Sequence, residues 1–247
     1  MNERIETSST IGAQPGGRGE QSAAAALRLP VWAWLVAWMW AWVGGSVALH
    51  YAFHGVVNGW HIALAVFLAI NILICIWEMS LYFRIGDIER WAHGPRETSG
   101  RPRGGLYTSR VSAGELATTR LWARVWSEYA RYDPGYADRK SFGFAIDVGN
   151  GFSTILPSLL FFVAMTVPMF SPLVVGIIGL LIFYQKFYCT CLYFFTYIFN
   201  RRYELHPLRA VLAVVGGSNG IWLVFPAIGL YVCLRLIFDG SFDVIWT

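Results

Sequence analysis

Lys140–Pro157 reads KSFGFAIDVGNGFSTILP. The stretch opens a membrane-length apolar segment, yet it sets Asp147 and Asn150 inside that segment, flanked by Gly149 and Gly151. Placing an ionisable side chain in hydrocarbon costs roughly 2.5–3.5 kcal/mol even on lenient insertion scales, so such a residue usually faces a cavity and has a task. Asp147 is therefore the first functional candidate. Asn150 and Thr154 follow it at i+3 and i+7 on one helix face, and Pro157 is expected to kink the helix and open space beside it.

The rest of the chain agrees with a membrane setting. Of 247 residues, 56% are hydrophobic, 17% aromatic and only 14% charged, which excludes an ordinary soluble domain. Five apolar spans are predicted, at about 30–53, 61–83, 142–167, 173–199 and 208–238, in one membrane domain covering 28–247. The fold class expected is an all-α bundle of five transmembrane helices. Residues 1–27 mix Gly, Ser, Gln and isolated charges without periodicity and read as a disordered tail. The first apolar run starts late and is too long for a cleaved signal peptide.

The net charge of +4 comes from arginines clustered in loops beside the spans, so it reads as a topology signal; no nucleic-acid partner is expected. By the positive-inside rule, the amino terminus and the long loop are cytoplasmic, in a bacterial inner membrane or the endoplasmic reticulum according to source. Within that loop, Ser112 and Glu115 form a capping-box pattern. Leu121, Trp122, Val125, Trp126 and Tyr129 then recur at helical spacing, which predicts an amphipathic helix lying on the membrane surface. Asp133-Pro134-Gly135 turns the chain into the third span.

Polar residues inside the other spans are few. Segment one carries Trp32, Trp34, Trp38, Trp40 and Trp42, more indoles than an interfacial belt needs, and ends in His50 and His54, expected as solvated interfacial histidines. Segment two carries Asn71 and Glu78, seven residues apart and so on one face. Segment four holds Lys186 among Tyr184, Tyr188 and Tyr193; a central lysine needs a partner, and Glu78 and Asp147 are the acids inside the apolar spans. That pairing reads equally as a structural ion pair and as part of a catalytic or ligand-binding site. Segment five presents Asn219 and Trp222 three residues apart, behind glycines that permit close helix contact. The cysteines, Cys75, Cys189, Cys191 and Cys233, have no zinc spacing and are expected as free thiols, with Cys189 and Cys191 on different faces.

Collected by depth, Glu78, Asp147, Asn71, Asn150, Lys186, Tyr188, Asn219 and Trp222 are the candidate site residues of an apolar, aromatic pocket. Carboxyl groups in such a setting suit acid/base work, Asp147 and Glu78 being the candidates, and an indole face stabilises a passing carbocation. These parts can shift a double bond in a sterol or terpenoid entering from the bilayer, with no metal and no cofactor. No Gly-rich nucleotide loop, metal motif or nucleophile elbow is visible, and no inverted repeat points to a transporter.

Val125-Trp126-Ser127-Glu128-Tyr129-Ala130 with the Asp133 turn, Phe142 followed five residues on by Asp147, Leu192-Tyr193-Phe194-Phe195-Thr196, and Asn219-Gly220-Ile221-Trp222-Leu223-Val224-Phe225-Pro226 together resemble the emopamil-binding protein family of sterol Δ8-Δ7 isomerases and its EXPERA-domain relatives. The resemblance covers roughly Asn71 to Phe238. It implies a five-helix bundle with an amphiphile pocket, in which Asp147 handles a proton and Asn219 and Trp222 line the wall. The chain departs from the family pattern at three places: Ile74 stands where a histidine precedes the segment-two acid, Asp147 replaces a glutamate, and Lys186 occupies a glutamine position. An isomerase and a non-catalytic binder of sterols or amphiphilic amines, like the sigma-2 receptor relatives, are both open on this basis. So is a membrane protein held together by a Lys186–carboxylate pair. Either as monomer or homodimer, its partners are a hydrophobic small molecule and membrane lipid.

Overall fold

The computed structural model describes residues 27–93 and 105–247; the expected disordered tail falls almost wholly outside them. Among the described residues five helices are long and apolar enough to cross a membrane: α1 (Val31–His54), α2 (Gly59–His93), α5 (Phe142–Ala164), α6 (Pro172–Phe199) and α7 (Leu208–Asp239). All five predicted spans are present, and the protein is an all-α, multi-pass bundle. Two short helices, α3 (Ala113–Leu116) and α4 (Thr119–Tyr129), precede α5, and α8 (Asp243–Trp246) follows α7. A two-stranded antiparallel ribbon, β1 (Arg28–Pro30) with β2 (Arg110–Ser112), ties the start of α1 to the long loop, with Leu29 opposite Val111.

Local chemistry accounts for the boundaries. Ser112 and Glu115 form the reciprocal capping box, and Ser141 and Ser171 cap α5 and α6 through side-chain oxygens. Asp133 caps the 3-10 turn Pro134–Ala137 by accepting from Gly135 N–H, and its buried carboxylate holds Arg202 at 2.6 Å. Both α1 and α7 contain a π-helical turn, at Trp40–Gly44 and Leu212–Gly216, where one residue more than the α-helical count is accommodated.

Four expectations are corrected. The long loop does not begin at Arg84: α2 bends there, at φ −124°, and continues to His93. Ile88 on this extension is fully buried, and Arg84 and Arg90 both pair with Asp87, so the extension has an apolar side and a charged side of its own. Helix α4 does not lie free on the membrane surface. Its apolar side packs on α2, where Trp122 stacks on Trp77 at 5.1 Å and Trp126 Nε1 donates to the Trp77 carbonyl at 2.7 Å. A protein face close by satisfies the indole N–H as lipid cannot.

Pro157 lies within an α5 that continues to Ala164, and the neighbouring Ser158 is spent on a hydrogen bond from Asn71; the cavity described below opens at Ile146–Asn150 instead. Finally, the glycines of 216–220 do not mediate close helix contact. A Cβ at Gly220 would meet nothing within 4 Å, whereas one at Gly179 of α6 would collide with Cys233 Sγ and Phe161. The tight seam between α6 and α7 rests on such absent side chains.

Two buried clusters result. One, around Trp77, Trp122, Trp126, Tyr136 and Tyr193, lies where α4 meets the bundle; the other, around Phe67, Phe161, Phe183 and Val232, fills the opposite half.

Candidate functional site

A cavity of about 330 Å³ sits beside the first cluster, lined from α2, α4, the 3-10 turn, α5, α6 and α7. Its walls are mainly apolar and aromatic, with Trp77, Trp126, Tyr129, Tyr136 and Trp222 among them. The polar groups that reach it are Glu78, Asp147, Asn150, Thr190, Ser218 and Asn219. This is the make-up of a small-molecule site: a mostly apolar hollow with a few convergent polar groups.

Of the eight candidates, five line this cavity: Glu78, Asp147, Asn150, Asn219 and Trp222. Glu78 is at the same time bound to Lys186, Nζ to Oε2 3.4 Å, with the two side chains 2% and 0% exposed. Lys186 itself lies behind the wall, so it acts on the cavity through Glu78. Helices α2 and α5 also meet closely beside that pair. A Cβ on Gly151 of α5 would stand 2.7 Å from Glu78 Cβ and 3.0 Å from the Cys75 carbonyl, so only glycine lets α5 come this close to α2 at the level of the acid. Cys75 and Thr154 meet at 3.3 Å one turn away, and Gln185 donates to Asn150 Oδ1 at 2.8 Å.

Asn71 and Tyr188 are corrected. Asn71 is fully buried but donates to Ser158 Oγ at 2.9 Å in the α2–α5 seam, away from the cavity. Tyr188 is exposed on the outer side of α6, stacked on Tyr184 at 5.7 Å. The helical period explains both: four residues separate Tyr184 from Tyr188, so they share a face, while Lys186 between them points inward.

Sequence reasoning missed three phenols. Tyr129 and Tyr193 meet oxygen to oxygen at 3.1 Å, and Asn219 Nδ2 donates to Tyr129 Oη at 2.8 Å. Tyr136 stacks on Trp126 at 5.1 Å, and the Asp133 turn places it there. Burial first, and the Asp147 charge second, push the Tyr136 phenol well above its ordinary range, and burial does the same to Tyr129. Both therefore remain O–H groups at neutral pH. The signal that could have found them was the aromatic content of the amphipathic loop helix, whose tyrosine end has more hydroxyl than a lipid-facing surface needs.

Cys189 lines the cavity while Cys191 faces outward, as a separation of two residues, about 200° around a helix, requires, and the four cysteines are free. Among the described residues no group of three or more His, Cys, Asp or Glu could hold a metal. A second apolar hollow of about 510 Å³ lies between α1, α2 and α3–α4; the indole N–H groups of its Trp34, Trp38 and Trp122 all reach backbone carbonyls.

Comparisons with protein-family models, with curated proteins and with solved structures find no match.

Proposed function

We propose that the cavity binds a sterol- or terpenoid-like molecule taken from the bilayer and shifts a double bond within it, Asp147 acting as the proton donor and acceptor. The observation that supports this reading is the convergence of Asp147, Asn219 and Trp222, from separate spans, on one apolar hollow. It is also the arrangement implied by the resemblance to the emopamil-binding protein family. The Asp147 acid would give its proton to one alkene carbon, the π pair forming the new C–H bond. The cation left on the other carbon would lie against aromatic faces such as those of Trp126 and Trp222. The Asp147 carboxylate would then take a proton from the next carbon, whose C–H pair becomes the new double bond. No oxidant or reductant enters the balance. Glu78, tied to Lys186, would fix the field around Asp147 and leave the proton transfers to it.

A second reading has an observation of its own. With Glu78 spent on Lys186, Asp147 is the cavity carboxyl without an ion-pair partner among the described residues, which suits pairing with a ligand ammonium and no turnover. Lipid extraction of purified protein followed by mass spectrometry, and then assay of candidate sterols and terpenoids, tests both. Asp147→Asn should lower turnover by about 10²–10⁴-fold, the usual contribution of a general acid/base; turnover equal to wild type would sink the isomerase. If wild type binds a hydrophobic amine, lacks turnover, and Asp147→Asn abolishes that binding, the second reading holds.

A further inference from the structure

Three of the chain's five histidines, His50, His54 and His61, come together at the end of the bundle remote from the cavity. The expectation of a solvated interfacial histidine is overturned for His50, which like His61 is 1% exposed, while His54 is half-buried. His50 stacks on His61 with ring centroids 3.8 Å apart and stands 4.8 Å from His54. His54 Nε2 is 2.8 Å from the Thr166 carbonyl, a contact that requires His54 to donate. His61 Nε2 is shared between Thr166 Oγ1 at 2.9 Å and Ser46 Oγ at 3.3 Å. The ring nitrogens of His50 make no hydrogen bond of full geometry, and the backbone of Ile245 is the polar group that approaches them.

The carboxy-terminal segment closes this cluster. Trp246 stacks on His54 at 4.3 Å and on Phe242 at 4.0 Å, Ile245 is fully buried, and Trp246 Nε1 donates to the Met165 carbonyl at 2.8 Å. Asn58, in the α1–α2 connection, donates to the carbonyls of Val244 at 3.2 Å and Thr247 at 2.6 Å while its own oxygen caps the start of α2. One side chain thus ties the cap to the α1–α2 turn.

We propose that this cap is an acid-released latch. Imidazole is the side chain whose unperturbed titration falls between pH 5 and 8. The stacked rings fit while neutral; protonating them places like charges about 4–5 Å apart without water. Lifting residues 242–247, which hold Trp246 on His54 and Ile245 beside His50, admits water to those rings and relieves the repulsion. The released form takes up more protons than the closed form, so falling pH favours release. Few other charged groups are near. The cap carries Asp243, exposed, and is preceded by Asp239, held by Arg235 at 2.6 Å; α2 contributes His61 alone at its first turn, and the α5–α6 turn contributes the neutral Thr166. Among the described residues no carboxylate pairs with any of the three rings, and the Ile245 backbone beside His50 offsets only part of the accumulated charge.

Hydrogen-exchange mass spectrometry on the full-length protein in nanodiscs at pH 7.5 and pH 5.5, with rates corrected for intrinsic pH dependence, tests this. Peptides covering 242–247 should lose at least tenfold protection on acidification, while peptides in α2 and α6 change less than twofold. His50→Phe, which keeps an aromatic ring in the stack but removes a base, should reduce the loss at least threefold; His54→Phe is the second variant should the first not fold. Unchanged protection in wild type overturns the latch. So does equal loss across α2 and α6, which is global unfolding, or a full response retained in a folded variant.

Discussion

At the scale of single residues, the Lys186–Glu78 contact and Gly151 set the terms for the site. A buried pair contributes little net stability, but stripping one partner strands a charge and costs about 3–5 kcal/mol. Lys186→Met should therefore lower the thermal midpoint strongly, and adding Glu78→Gln should restore most of it. A double variant no more stable than the single one would show that the pair is incidental. Gly151→Ala drives a methyl against the Cys75 carbonyl and Glu78 Cβ, so a loss of roughly 1–3 kcal/mol is expected from overpacking, read in the same thermal assay. The sequence announced that a mid-span lysine needs a carboxylate; it did not say which. Glu78 and Asp147 are both acids inside apolar spans, and the choice depends on how α6 is set against α2 and α5, an arrangement that no residue pattern encodes.

Among the elements, α4 departs furthest from its sequence reading. Hydrophobic periodicity identifies an apolar face but is silent about what covers it, and here the cover is α2 with Trp77 at its centre. Trp126→Phe keeps most of the packing and removes the N–H donated to the Trp77 carbonyl, so a cost of about 0.5–1.5 kcal/mol is expected, with faster exchange in α4 as the local readout. The capping box upstream has a pH signature. The Ser112 N–H and hydroxyl hold the Glu115 carboxyl below its ordinary value, with Arg28 a lesser cause. Its stabilisation is then complete above the unfolded carboxyl value of about 4.3 and fades as pH falls through the lower folded value. Proteolytic nicking near Ala113–Thr118 should rise below about pH 4 in wild type, and Ser112→Ala should show it already at neutral pH. The α2 extension beyond Arg84 escaped the sequence reading for a related reason: its charges resemble a loop when the buried Ile88 is not seen to have a partner.

For the whole molecule, hydropathy alone located the five spans, because burial in hydrocarbon imposes a length and a composition that short soluble elements do not have. The histidine cluster was beyond reach for the opposite reason. His50 and His54 on α1 and His61 on α2 stand on either side of a turn, and residues 242–247 pack against them. Five spans would carry the β1 and α8 ends to opposite sides of the membrane, with the arginine-rich side predicted to be cytoplasmic. Single cysteines at Tyr107 and Met169, in a Cys191→Ser background, should react with an impermeant maleimide from opposite sides; labelling of both from one side would contradict the five-span arrangement.

The hydrogen bond from Asn219 to Tyr129 links groups 90 residues apart. Helix α4 leaves the ribosome well before α7 does, so for most of synthesis its tyrosine end has no amide to answer it. The cavity therefore has no nascent version: a chain stopped after α6 carries Lys186, Glu78 and the aromatic residues of α4 but lacks the wall that α7 supplies. Its affinity for any hydrophobic guest should arise only as the final span enters the membrane.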